Sequence, residues 1–348
     1  MAGVIVVSGY YGFANLGDEA ILAALCADLE VLGFSRREIL VLSHNPADTE
    51  SVHGVRAIDR YNLRKVWQIL GIARGFVSGG GSLLQDVTGP RSIPYYLGLA
   101  ELALLRKIPV VMYGQGIGPV QSALFRRWVR RVYGRSSAYS VRDRHSADFL
   151  AAGDTMPAKG WLAADAVFGR ELKRQDTAGV KKIVLNLRPY SGWQAQRRLW
   201  IELISRWQDG GFEIEFAALG PGDEMLGFEL REQLPALNIN SAVTLQNVEA
   251  VFKGVRLCIS MRLHGMIFAA LHDVLPIGLK YDPKVAAIGA QLQVPCWDPA
   301  DLSSLTAGME GALRDYEYHR SIYHKNLAEL RQKALGNRAA LARGLLGE

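Results

Sequence analysis

The chain alternates short apolar runs with longer amphipathic ones. "GVIVVSG" is short, β-branched and apolar, the pattern of a strand buried on both faces of a sheet. A glycine-rich turn follows, and the spacing predicts a helix from about Asp18 to Leu32. "EILVLS" repeats the strand signal, and "GFVSGGGSL" reads as a strand and a glycine loop. Tyr95 to Arg106 reads as a helix, "PVVMYGQGIGP" as a strand with a second glycine loop, and "AYSVRDRHS" as a strand running into a helix start. This alternation predicts a parallel sheet with helices on both sides.

A seam falls near residues 165 to 180, where "GRELKRQDTAGVKK" is polar, charged and without apolar period, as in a linker. The pattern then restarts with "KIVLNLRP", a helix near Ala195 to Trp207, "FEIEFAALGPGDE", a helix near Glu224 to Gln233, "LCISMRLHG" and "LPIGLKYDPK". The reading is an α/β chain of two Rossmann-like domains, residues 1–170 and 171–305, facing a central cleft. A helical, basic segment, 306–348, follows, with Ile322, Leu327, Leu330 and Leu341 among its apolar positions. In open α/β sheets ligands bind beyond the carboxyl ends of the strands, so the informative residues should lie just after strands.

Composition leaves that picture intact. At 348 residues the chain exceeds one ordinary domain, and 49% hydrophobic with 21% charged residues is usual for a globular protein. No apolar run reaches the roughly 18 residues of a membrane span. The best stretch, Ile93 to Leu105, contains Glu101. The start lacks a basic region and a cleavage site, so no secretory signal is expected and a cytoplasmic location is. Cys26, Cys258 and Cys296 lie far apart in apolar contexts and read as buried thiols in a reducing compartment. No Cys/His spacing suggests a metal site.

Charge changes it more. The net charge of +6 favours anionic partners. "FRRWVRRVYGR" carries Arg126, Arg127, Arg130, Arg131 and Arg135, while Leu124, Trp128 and Val132 recur every fourth residue. This is an amphipathic helix whose basic face is either simply solvated or turned to an anionic lipid surface. No nucleic-acid-binding motif accompanies it.

Candidate chemistry follows the strands. "GYYGFANLGDEA" is not a dinucleotide fingerprint. It exposes Tyr11 and Phe13 with Tyr10 to suit a sugar's apolar face, and offers Asn15 and Asp18 to hydroxyls. Asp18 also reads as a cap for the following helix. In "SGGGSLLQD", Gly79, Gly80 and Gly81 with Ser82 let backbone N–H groups face a polar ligand, or form a crowded turn. "YGQGIGP" adds Gly114, Gln115, Gly116 and Gly118 at the same rim. In "SVRDRHS", Arg142 and Arg144 share a side while the strand persists, and Arg142 is the one expected to enter the cleft. Asp143 and His145 read as a surface pair and a cap-region residue. The strongest signal is "RLCISMRLHGMIFAALHDVLPIGLKYDPK", which sets Arg262 and His264, then Lys280 and Lys284, among apolar residues. Unpaired buried cations are expensive. The expectation is that these cations converge on a solvated cleft and wait for an anionic ligand.

Together "GYYGFANLGDEA", "SGGGSLLQD", "YGQGIGP", "SVRDRHS", "SMRLHG" and "LKYDPKV" resemble the polysaccharide pyruvyltransferases, most of all the bacterial CsaB-type members acting on secondary cell-wall polysaccharide. The motifs run from Tyr10 to Lys284, most of the chain. The segment after Leu302 has no matching motif. The resemblance implies a GT-B-like fold with an acceptor side in the first domain and a phosphoenolpyruvate side in the second. It implies transfer of pyruvate onto two hydroxyls of one sugar, N-acetylmannosamine on a lipid-linked disaccharide, as a cyclic ketal that later anchors S-layer proteins. His264 corresponds to the family's essential histidine. Arg142, Arg262 and Lys284 match positions associated with phosphoenolpyruvate, and Phe13 one on the acceptor side. Phosphoenolpyruvate is the donor substrate, and no cofactor or metal is implied.

The chemistry agrees with that resemblance. His264 suits a base near neutral pH, with Asp18 as a second proton-transfer group. A lipid-linked acceptor would give the basic face a use at an anionic inner membrane. The competing readings are a glycosyltransferase on the same fold, with Asp223 and Glu224 as acidic residues for a nucleotide-sugar, a non-catalytic sugar- or lipid-binding module, and a nicotinamide oxidoreductase, weakened by the missing fingerprint.

Overall fold

The computed structural model describes residues 3–87, 91–151, 159–176 and 179–348. Part of the expected linker, residues 177 and 178, lies outside them. The chain divides into two compact units. The first comprises residues 1–13, 18–170 and 330–348, and the second residues 14–17 and 171–329.

In the first unit the chain forms β1 (Val4–Ser8), α1 (Leu16–Val31, whose first two residues, Leu16 and Gly17, belong to the second unit), β2 (Ile39–Ser43), α2 (Pro46–His53), β3 (Arg56–Asp59), α3 (Leu63–Leu70), β4 (Ala73–Ser78), β5 (Gly81–Leu84) and α4 (Ser92–Leu105). It continues with β6 (Val110–Ile117), α5 (Ala123–Arg135), β7 (Ala138–Val141), α6 (Arg144–Leu150) and β8 (Gly160–Leu162). The strands pair in parallel in the order β3-β2-β1-β4-β6-β7-β8, with β5 beside β6. Alternation along β1 sends Val4 and Val6 into one core and Ile5 and Val7 into the other, so both faces are covered. Burying each such side chain contributes about 1.5–3 kcal/mol, which is why the strand reads as an unbroken apolar run.

The second unit contains β9 (Lys182–Asn186), α7 (Trp193–Asp209), β10 (Glu213–Ala217), α8 (Asp223–Arg231), β11 (Asn238–Asn240), α9 (Val248–Phe252), β12 (Leu257–Ser260), α10 (Leu263–Leu271), β13 (Leu275–Leu279), α11 (Pro283–Leu292), β14 (Cys296–Trp297) and α12 (Leu302–Arg314). A last helix, α13 (Tyr316–Leu341), carries residues of both units. The second sheet runs β11-β10-β9-β12-β13-β14, all parallel. This is the doubly wound order, in which the direction of growth reverses between β9 and β12.

Four local readings need correction. The first helix begins at Leu16, so Asp18 is not its cap but sits in its first turn, where a carboxylate favours the positive end of the dipole. The glycine run after β4 leads into β5 and not into a helix. On α5 the inward residues are Phe125, Trp128, Val129, Val132 and Tyr133, at helical spacing, while Leu124 is exposed. The segment 306–348 is not a separate piece, because Ala340 and Leu341 enter the first unit's core and Leu345 packs beside Gly75.

Candidate active site

In the second unit the reversal point brings the ends of β9 and β12 together, with Ser260 paired to Asn186. Beyond β12 the chain turns at Arg262, the residue before α10, and His264 stands in that helix's first turn. The turn is fixed by Ser260, whose Oγ accepts from the Arg262 N–H (3.0 Å) and donates toward the Asn186 side-chain oxygen (2.9 Å). The His264 ring lies against Gly17, where an added Cβ would stand 2.1 Å from Nδ1. Only glycine leaves the imidazole its place.

Arg262 does not wait unpaired. Its Nε and Nη2 each donate to the fully buried Asp223 carboxylate at 2.6 Å, a bidentate ion pair. Asp223 Oδ2 also accepts from Asn186 (3.1 Å) and from the Leu219 N–H (3.2 Å). The guanidinium lies against Gly220, where a Cβ would meet it at 2.7 Å. The result is a clamped arginine whose Nη1 corner makes no hydrogen bond among the described residues. Lys280 follows β13, adjacent to β12, and is exposed. Lys284 lies in the first turn of α11, with its Nζ 3.2 Å from Asp282, which caps that helix. Asn15 Oδ1 accepts from the Gly17 N–H at 3.2 Å, which leaves its side-chain amide N–H groups to meet a sugar hydroxyl.

The first unit holds the remaining predicted residues. Arg142 is buried at the end of β7 and is also compensated: Nη1 donates to buried Asp165 (2.9 Å) and Nη2 to Ser82 Oγ (2.8 Å). Gly116 leaves room for that guanidinium. Arg144 does not share its side, since the strand has ended and Arg144 pairs outward with Asp148. Asp143 caps α6 through the Ser146 N–H. Gln115 is not at a rim. It is fully buried, donating to Ser78 Oγ (2.8 Å) and the Gly79 carbonyl (2.9 Å) and accepting from the Tyr133 hydroxyl (2.7 Å). Gly80 packs against the Gly114 carbonyl, and Gly81 takes φ +98° and faces the Asp18 carboxylate, so this run is a crowded approach of backbones rather than an anion cradle.

The aromatic loop also differs from expectation. Tyr11 is fully buried beneath Gly9 and Gly79, and burial pushes its phenol well above its ordinary pKa. Phe13 has one face stacked on Tyr10 (4.0 Å) and the other on His44 (4.4 Å), so neither face is open to a sugar. The exposed rings are those of Tyr10, His44 and Tyr61. Buried Arg60 organises them. Its guanidinium lies 4.4 to 5.5 Å from the rings of Phe13, Tyr61, Tyr95 and Tyr96, and it donates to the Gly9 carbonyl (3.0 Å). Arg60 and Asp165 belong to no recognisable motif, and in the sequence Asp223 stands out only as an acidic residue for a nucleotide-sugar. Their partners are distant in sequence, and no periodicity marks them.

Two parallel sheets in doubly wound order make the chain an α/β protein of two Rossmann-like domains, of the GT-B-like kind. The comparisons agree and go further. A sequence profile described as polysaccharide pyruvyl transferase matches residues 15–283, more than half of the chain. The protein belongs to the polysaccharide pyruvyl transferase family and is a transferase. No curated protein matches it. Among solved structures, Anabaena HepE in complex with UDP-glucose is 12% identical, with a TM-score of 0.63 and 99% of each chain covered. The Staphylococcus aureus MnaA–UDP structure is 9% identical, with a TM-score of 0.70, covering 99% of this chain and 98% of that one. The UDP-GlcNAc 2-epimerase from Neisseria meningitidis is 11% identical, with a TM-score of 0.64, covering 99% of this chain and 100% of that one. At such identities these likenesses describe the fold.

Proposed function

We propose that this transferase moves pyruvate from phosphoenolpyruvate onto two hydroxyls of one sugar in a cell-wall saccharide, closing a cyclic ketal and releasing phosphate. The acceptor in this reading is N-acetylmannosamine on a lipid-linked precursor, the CsaB-type substrate, whose ketal serves S-layer anchoring. The observation that supports it most is the clamped Arg262 beside His264 at the start of α10. Asp223 holds the guanidinium in one orientation, and its free corner suits a carboxylate or phosphate at the positive end of a helix.

Protonation of the donor's methylene carbon makes the adjacent carbon electrophilic. One sugar hydroxyl adds there, and His264 takes its proton. The carbon–oxygen bond to phosphate breaks, and the second hydroxyl closes the ring. One hydroxyl proton balances the proton taken up by the methylene, and the other leaves with phosphate. Arg262, Lys280 and Lys284 stabilise the donor's charges. The resemblance adds Arg142 to these donor ligands and Asp18 to the proton transfers. On the acceptor side, Tyr10 and His44 offer open ring faces, while Phe13 stiffens the stack.

The glycosyltransferase reading keeps only Glu224 of its two acidic residues, because both Asp223 oxygens accept hydrogen bonds within the protein. Mass spectrometry of an N-acetylmannosamine-containing acceptor after incubation separates the two. A pyruvate ketal formed from phosphoenolpyruvate supports the proposal. A sugar added from a nucleotide-sugar, with no ketal, contradicts it. The proposal includes a cytoplasmic location with peripheral contact at an anionic inner membrane, through Arg126, Arg127, Arg130 and Arg131, which are exposed on α5 beside Leu124.

A further inference from the structure

The charges past the strands of the second sheet do not balance where the motifs suggest. Arg262 is neutralised by Asp223 and Lys284 is paired with Asp282. A further arginine, Arg188, follows β9, the strand on the other side of the reversal point from β12. Its guanidinium lies 4.9 Å from the centroid of the Tyr281 ring. Tyr281 directly follows Lys280 and precedes Asp282, so Arg188 is brought to the segment that carries both lysines. Arg188 Nε is buried with no hydrogen-bond partner, and no carboxylate pairs with the side chain among the described residues. A half-buried guanidinium supported by one ring face and lacking an anion is costly to hold. A ligand anion arriving at the reversal point would offset that cost.

We propose that Arg188 is an anion-binding residue of the second unit, and that with Lys280 it supplies the uncompensated charge that recognises the phosphate of the donor. The ligand class is a phosphate monoester dianion, which a guanidinium meets through two parallel N–H donors. Arg262 then serves mainly as an oriented donor of hydrogen bonds, its charge already offset by Asp223. The identification of the dianion as phosphoenolpyruvate rests on the function proposed above. The anion site itself does not.

The test compares wild type, Arg188→Gln and Arg188→Lys on the full chain. Affinity for inorganic phosphate is measured by calorimetry, KM for phosphoenolpyruvate by phosphate release, and the thermal midpoint as a check on the fold. The expected result for Arg188→Gln is a fall in phosphate affinity and a rise in KM, each of about tenfold or more, with kcat changed far less. Arg188→Lys should recover part of both. Unchanged phosphate affinity and KM in folded Arg188→Gln would overturn the proposal, as would a lowered thermal midpoint with neither constant altered. If Arg188→Gln does not fold, Arg188→Lys decides: unchanged constants overturn the proposal, and weakened ones support it. A wild type that releases no phosphate from phosphoenolpyruvate defeats the function proposed above. The phosphate titration then still decides the role of Arg188.

Discussion

At Gly17 the distance between sequence and site is a single methyl group. A Cβ there would overlap the His264 ring at 2.1 Å from Nδ1, so one of them must move. Alanine is otherwise the better helix residue, by about 1 kcal/mol, and α1 should not suffer from it. Gly17→Ala is therefore expected to keep its thermal midpoint within a few degrees while kcat falls roughly a hundredfold, the scale of an ångström's misplacement of a reacting group. Steady-state kinetics beside a melting curve checks it, and an unchanged kcat would mean that the ring's position is not critical. Arg262 and His264 were legible because cations between an apolar strand and an apolar helix are conspicuous. Their compensation was not legible. Asp223 is 39 positions from Arg262, and only the sheet order brings them together. Tyr11 and Phe13 show the same limit, since two aromatics in one glycine loop carry no mark of which is buried and which is stacked.

Secondary elements were more legible than the turns between them. Central strands announce themselves because both faces are covered, as in β1, β2, β12 and β13. The run "SGGGSL" could not show that β5 forms, because its pairing depends on β6 across α4. The turn from α10 to β13 holds the buried Asp273 at φ +61°. Burial opposes its charge, but hydrogen bonds from His324 (2.6 Å) and Arg320 (2.8 Å) outweigh that and hold its carboxyl well below the ordinary value. These residues tie α13 to the turn. Asp273→Asn keeps the shape and tolerates the left-handed backbone, while it removes the charge and turns one accepting oxygen into a donor. It should cost about 3 kcal/mol near neutral pH. Because the folded pKa is depressed, the stabilisation is fully present above the unfolded value of about 4. It is lost as pH falls through the lower folded value. Denaturant melts of both proteins between pH 7 and strongly acidic pH should therefore converge. A constant gap would show that the charge is not what Asp273 contributes.

Across the whole molecule, the repeated strand–helix alternation was enough to read two Rossmann-like units. The return of the C-terminal residues to the first unit was not, because packing of Ala340, Leu341 and Leu345 depends on a surface formed more than two hundred residues earlier. The basic face of α5 is likewise visible in the sequence, but its partners are not. Arg131 and Arg135 reach Glu101 on α4, while Arg126 and Arg127 point outward beside exposed Leu124. If that face meets an anionic membrane, changing Arg126, Arg127, Arg130 and Arg131 to Gln should abolish co-sedimentation with phosphatidylglycerol liposomes, at about 1 kcal/mol per charge removed. Equal binding by the two proteins would leave α5 a solvated helix. The central claim is the chemistry of the second unit, and the most direct measurement is phosphate release from phosphoenolpyruvate with a lipid-linked N-acetylmannosamine disaccharide, wild type beside His264→Ala. The account predicts acceptor-dependent release that His264→Ala loses by at least about a thousandfold. Release that persists in the variant, or none in the wild type with any amino-sugar or hexose acceptor, would contradict it.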